Sequence, residues 1–135
     1  MSVLKNDRQE SSVQFLENAY ELQVAVYKLV VKFPKRYSFI IGNPIAKLAM
    51  DCHMNTKYAN SIYPTNKHEY QLRRDYINKA MGNCQNLSSQ MDIALNLFSA
   101  EINGFKAVLP LIRDQLRLLK GLKESDKKRF KTILE

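Results

Sequence analysis

At 135 residues the chain is the length of one domain and long enough to bury a single core. Twenty-one Lys and Arg against thirteen Asp and Glu leave a formal charge of +8, which points toward an anionic partner such as nucleic acid or an acidic protein face. No run approaches the ~18 consecutive apolar residues of a membrane span, and the opening MSVLKNDRQE lacks the apolar core of a secretion signal, so the expected location is cytoplasmic, with no membrane partner.

Residues 1–11 are polar and of mixed charge and read as a flexible arm. Ser11 or Ser12 then caps a first helix, whose apolar stripe is read as Val13, Leu16, Tyr20, Val24, Tyr27 and Val31, flanked by Ala19, Gln23 and Val30. It is expected to end at Phe33, because the residue before a proline disfavours helical geometry. Lys28 and Lys32 lie in its last turns, where positive charge suits the helix dipole. Pro34-Lys35-Arg36-Tyr37 is short enough to force an antiparallel return.

Gly42-Asn43-Pro44 is expected to interrupt the second helix, with Pro44 placed just after an Asn43 cap. The preceding residues, from Ser38, fit either an early helical turn or a loop. Ile41, Ile45, Leu48, Ala49, Cys52 and Ala59 mark the buried face, with Asn55 and Thr56 as polar interruptions. Cys52 and Cys84 both fall on apolar helical faces and read as free buried thiols rather than a disulfide.

The longest predicted helix, 65–98, is the spine. Ile77, Cys84, Met91 and Phe98 fall every seventh position, with Ala80/Met81, Leu87 and Ala94/Leu95 between them, which gives one apolar seam. Asn66, with Glu69 three residues on, forms its capping box. Extended backwards, the heptad puts Tyr70 and Arg73 on the apolar line, with Arg74 beside it. A guanidinium there must reach water, pair with a carboxylate or contact a ligand. The plainest expectation is that Arg73 leaves the seam at the bundle's end and pairs with Glu69 or a neighbouring helix.

A tight turn over 101–104, capped by Asn103, leads into a fourth helix with Phe105, Leu109, Ile112, Leu116 and Leu119 as its stripe. Pro110 predicts a mild kink or a later start, and Gly121 a stop. Ser125 then caps a short last helix carrying Lys127, Lys128, Arg129 and Lys131. The fold class is therefore all-α: an arm over 1–11, an up-down-up-down four-helix bundle over 12–122, and a basic tail helix over 123–135. That topology gathers Lys57, Lys67, Arg73, Arg74, Arg117, Lys120 and Lys123 at one pole, and Lys35 and Arg36 with four further lysines at the other. A shared pole argues for an anion site better than net charge does.

His53 and His68 have no partners at metal-ligand spacing, and the Glu-x-x-His signature of di-iron bundles does not occur. Neither a phosphate-cradling glycine loop nor a nucleophile elbow is present. The expectation is a non-enzyme with no metal or cofactor. Tyr27, Tyr37, Tyr58, Tyr63, Tyr70 and Tyr76 alternate with basic residues, a pattern able to stack the bases of single strands. The plainer reading places Tyr27 and Tyr70 in the core and the others over helix ends.

Three segments carry a resemblance: Phe33-Pro34-Lys35-Arg36-Tyr37-Ser38-Phe39, Asn60-Ser61-Ile62-Tyr63-Pro64-Thr65-Asn66, and Arg73-Arg74-Asp75-Tyr76. Together they resemble the accessory variability determinant proteins of diversity-generating retroelements. The wider relatives are the small bundle proteins encoded in ribosomal RNA intervening sequences. The resemblance covers roughly 13–130 and is most specific where Tyr63-Pro64-Thr65-Asn66 leads into the paired arginines. It implies a basic bundle that assembles into a barrel-shaped homopentamer and has no chemistry of its own. Such a protein binds the retroelement's reverse transcriptase and its template RNA or cDNA, supporting copying with adenine-directed errors and replacement of a variable region. By motif, Arg73 and Arg74 match the family's paired arginines and Lys35-Arg36 its basic connector. The late-helix tryptophan frequent in the family is missing, with Phe105 the nearest candidate. The alternative is a self-assembling bundle of the intervening-sequence type with no retroelement role.

Overall fold

The computed structural model describes residues 7–98 and 102–135, with side chains from residue 13 onward apart from that of 102. The described residues are all-α. In chain order they form α1 (Asp7–Val30), a 3-10 turn (Lys35–Tyr37), a π-helical turn (Ser38–Gly42), α2 (Asn43–Ser61), α3 (Lys67–Leu97), α4 (Ile102–Arg129) and α5 (Lys131–Leu134).

Side-chain pairs fix the directions of the four long helices. Asn18 Nδ2 donates to Leu111 O (3.0 Å) and Gln115 Oε1 (2.9 Å), while Leu29 lies against Gly104, so α1 and α4 run antiparallel. Cys52 and Cys84 (Sγ–Sγ 3.3 Å) and Asn55 with Asn83 (2.8 Å) set α2 against α3 in the same sense. His53 Nδ1 meets Gln23 Oε1 at 2.7 Å between α1 and α2, and Arg73 meets Asp126 between α3 and α4. Each long helix packs on two neighbours, giving an up-down-up-down square around one core.

In α3 the heptad reading holds along its main line, while Met81 and Phe98 are only half-buried and Leu95 is exposed. Tyr70, Arg73, Ile77, Ala80, Cys84, Leu87, Met91 and Ala94 are all buried. Asn66 Oδ1 accepts the Glu69 N–H (2.9 Å), while the Glu69 carboxylate reaches one residue beyond the expected box, to the Thr65 N–H (2.7 Å) and hydroxyl (2.8 Å). These Thr65 bonds, with a smaller contribution from His68, hold the Glu69 carboxyl below the usual carboxylate range.

The stripe of α1 is not the expected one. Its buried residues are Phe15, Ala19, Leu22, Val26 and Leu29, continued by Phe33 beyond its end. Tyr20, Tyr27 and Val31 are 60%, 42% and 81% exposed. Two interleaved sets with three- and four-residue spacing run along this helix. The pure hydrocarbon set wins, because the other carries hydroxyls that need partners. Tyr27 OH stays at the surface, accepting from Gln23 Nε2 at 2.9 Å. Ser11 and Ser12 lie inside α1 rather than capping it, and residues 1–6 of the expected arm fall outside the described residues. The helix closes at Val30, and Lys32 and Phe33 N–H then donate to Leu29 and Val30 O in a tighter final turn.

The Ser38–Gly42 segment is a π-helical turn running straight into α2, with the Asn43 N–H donating to Ser38 O. Gly42-Asn43-Pro44 therefore does not interrupt the helix. Pro44 has no N–H to place, so a widened turn just before it loses nothing there.

In α4 the expected boundaries move. Asn103 and Gly104 lie within its first turn, whereas residue 101 of the expected connector is outside the described residues. The helix also passes through Pro110, Gly121 and Ser125 to Arg129. The buried face continues past Gly121 through Asp126 to Phe130, and that burial outweighs the ~1 kcal/mol that glycine costs a helix. The expected tail from 123 is thus mostly the last two turns of α4. Its inner face also differs: Val108 and Gln115 are buried, while Leu109 is exposed and Leu116 half-buried. Gln115 is tolerated inside because it is satisfied. Its Nε2 donates to Phe15 O (3.0 Å) and Thr56 Oγ1 (3.4 Å), and its Oε1 accepts from Asn18.

Candidate anion-binding pole

The pole shared by the end of α2, the start of α3 and the end of α4 is built around Arg73, only 4% exposed. Its Nε donates to Asp126 Oδ2 (2.7 Å) and its Nη2 to Oδ1 (3.2 Å). Its Nη1 donates to Ala59 O (3.1 Å) and Ile62 O (2.9 Å), which caps the end of α2. The Phe130 ring lies 5.9 Å from the guanidinium carbon. Arg73 therefore stays on the seam, and of its two expected partners the neighbouring helix, α4, supplies the carboxylate and Glu69 does not. Its charge is used inside the protein.

Arg74, the next residue, points the other way. It lines a groove of about 460 Å³ between α3 and α4 together with Arg117, Lys120, Lys123 and Lys127. Residues 117, 120, 123 and 127 are spaced three, three and four apart, which puts four cations on one face of α4. Met81, Gln85 and Leu116 contribute to the lining, with Glu124 as its carboxylate. Asp126 sits among these cations in sequence, but Arg73 neutralises it. The groove is thus left with an excess of positive charge.

Lys123 registers that field. Burial, then the like charges of Arg74 and Lys127, push its ammonium below the ordinary lysine range, and Glu124 offsets this only in part. An anion lying along the groove relieves the same repulsion. Arg74 Nη1 is 3.4 Å from Tyr70 OH, and Arg117 Nη2 reaches Asp114 Oδ1 at 3.7 Å in a solvent-exposed pair worth little.

Of the residues singled out from sequence, Arg74, Arg117, Lys120 and Lys123 are brought together here. Lys67 is exposed at the start of α3, on the same pole but outside the groove lining. Lys35 and Arg36 occupy the 3-10 turn at the opposite pole, where Tyr37 OH donates to Leu97 O (3.3 Å) and Arg36 lies over the Tyr37 ring. Lys127 joins the groove from the last turns of α4, and its signal in the sequence is the four-residue step from Lys123 across the point where Gly121 suggests a stop.

Among the described residues, no group of three or more His, Cys, Asp or Glu is gathered as metal ligands would be. No helix of these residues is long and apolar enough to cross a membrane. His53 is half-buried, and burial followed by the nearby Lys57 charge lowers its pKa. The Cys52 and Cys84 thiols are free and buried, and their mutual contact together with burial pushes the Cys84 thiol up. No protein-family model, curated protein or solved structure matches the chain.

Proposed function

We propose that this chain is a non-catalytic accessory protein of a diversity-generating retroelement, acting in the cytoplasm with a reverse transcriptase and its template RNA or cDNA in mutagenic retrohoming. The observation that carries this reading is the groove lined by Arg74, Arg117, Lys120, Lys123 and Lys127. Such a surface suits phosphates, which supply affinity without reading sequence. The paired arginines of the family motif also divide the work sensibly, Arg73 bracing the pole and Arg74 facing the groove.

Assembly into a barrel-shaped homopentamer belongs to the same proposal. Val31, Phe39 and Ile40 leave a large apolar surface around the α1–α2 connector, at the pole away from the groove. A closed ring is the ordinary way to cover such surface without forming filaments. That separation also favours the second reading, a self-assembling intervening-sequence bundle, because assembly there needs no polymerase.

The test is co-expression with a reverse transcriptase encoded beside a template and variable repeat pair, followed by size-exclusion chromatography with light scattering. The proposal expects co-elution of polymerase, RNA and an assembled ring. An assembled ring that never co-elutes with the polymerase supports the second reading. A monomer at micromolar concentration defeats the assembly proposed in both.

A further inference from the structure

We propose that Tyr63 is a stacking platform for an unpaired nucleobase, making the ligand of this pole a single strand rather than a duplex. The inference rests on the phosphate-binding reading of the α3–α4 groove and adds to it the part of the ligand that groove does not address.

Beside the groove, between α4, the end of α2 and Val13, Gln14 and Phe15 of α1, lies a second hollow of about 640 Å³. Tyr63, Arg117, Arg129, Asn60 and Ser125 are among its lining residues. Arg117 lines both hollows, so a phosphate chain following α4 passes from one into the other at that residue.

Tyr63 is 70% exposed, yet its setting is fixed. Pro64, itself buried, confines the Tyr63 backbone to extended geometry. The preceding carbonyl, Ile62 O, is held by Arg73 Nη1 at 2.9 Å. The Phe130 ring meets the Tyr63 ring at a steep angle (centroids 5.4 Å apart, 74°), and the Arg129 guanidinium carbon lies 6.0 Å from the Tyr63 centroid. A ring held by Phe130 and by Arg129 over one face, and otherwise left largely in water, does not serve the core. It offers a preset flat surface beside two arginines.

That combination matches an unpaired base with its phosphate. The base stacks on the phenol ring, Arg117 and Arg129 take the phosphates, and the Asn60 amide and Ser125 hydroxyl are donors and acceptors near the base edge. A duplex keeps its bases stacked inside and reaches only the arginines.

The chain has no tryptophan, so Tyr63→Trp introduces a single indole that reports on this hollow alone. The full-length Tyr63→Trp protein is titrated with single-stranded oligouridine, oligothymidine, an abasic deoxyribose-phosphate strand of equal length, and a duplex. Both base-bearing strands should quench the indole, and the two arms separate RNA from DNA. The abasic strand and the duplex should bind, by anisotropy of a labelled end, without quenching. Tyr63→Ala should weaken the base-bearing strands about tenfold and leave the abasic strand unchanged, with Tyr63→Phe close to wild type. Equal loss for both kinds of strand, loss for neither, or an unquenched indole under saturating oligouridine overturns the platform while leaving the groove reading intact. If the wild-type chain binds no strand at all, the groove reading fails and this inference fails with it.

Discussion

Arg73 Nε lies 2.7 Å from the carboxylate of Asp126, 53 residues further along the chain, and both side chains are about 95% out of solvent. This one pair joins α3 to α4, and through Nη1 it also fastens the end of α2. It withdraws the only one of the paired motif arginines that the core can satisfy and leaves its neighbour to the groove.

Breaking the pair from one side should be costly. Asp126→Ala leaves a buried guanidinium without its counter-charge, which typically costs about 3–5 kcal/mol. Replacing both partners, Arg73→Met with Asp126→Leu, should recover part of that loss, since no buried charge is left behind although the Ala59 and Ile62 carbonyls lose their donor. Urea denaturation of the two variants decides it. A single mutant within ~1 kcal/mol of wild type contradicts the bracing role.

Removing groove charges should act on binding and not on folding. Lys120→Ala, Lys123→Ala and Lys127→Ala should each flatten the dependence of single-strand affinity on salt by ~0.7 in the log–log slope, with unchanged melting temperature. Lys35→Ala and Arg36→Ala, at the far pole, should leave the slope as it is. A slope that responds to Lys35 and Arg36 instead would move the nucleic-acid surface to the connector.

Acid should weaken the protein in a step that belongs to His53. Its folded pKa lies below the ordinary histidine value of 6.5, burial being the larger cause, so at acid pH the unfolded chain binds the extra proton. The associated stability is fully present above about pH 6.5 and is lost as pH falls from there through the lowered folded value. His53→Gln should remove this step in a pH series of denaturation curves. Glu69 adds a second loss at more acid pH, as its lowered carboxyl takes up a proton and releases Thr65.

The glycines should respond in opposite directions. A Cβ at Gly82 or Gly121 meets nothing within 4 Å, so alanine there should stabilise its helix by about 0.5–1 kcal/mol. At Gly104 the same atom would sit 2.6 Å from Leu29 Cδ1, so the end of that buried side chain must shift to admit it. Gly104→Ala should therefore gain less than either, or lose stability outright, in thermal melts.

The sequence exposes most of this architecture where apolar residues alone decide it. The spine is legible because Ile77, Cys84, Met91 and their partners form a strict heptad with a capped start. It fails where two patterns compete or where a polar residue is buried. In α1 a tyrosine-bearing stripe and a hydrocarbon stripe share the same spacing, and only packing chooses between them. In α4, Gln115 and Asp126 are inside because Phe15, Asn18, Thr56 and Arg73 wait for them, and those partners stand 59 or more and 53 positions away. Reading Gly121 as a stop followed from the same blindness. Without Asp126 and Phe130 as anchors, nothing in the local sequence carries the helix onward, and Lys127 drops out of the groove.

The spacing between Arg73 and Asp126 also sets an order of events in time. At ~5–20 residues per second of synthesis, Asp126 is made roughly 3–10 s after Arg73. Through that interval the guanidinium has no carboxylate to enter the core with, and Ile62 and Tyr63 have no fixed seat. A nascent chain stalled before Asp126 should be cut readily by protease near Tyr63, and one held on the ribosome by an added C-terminal linker that lets Phe130 emerge should resist. Clamp, groove and tyrosine would then form together in one late closure, and a half-made chain would have no organised surface with which to seize the cell's RNA.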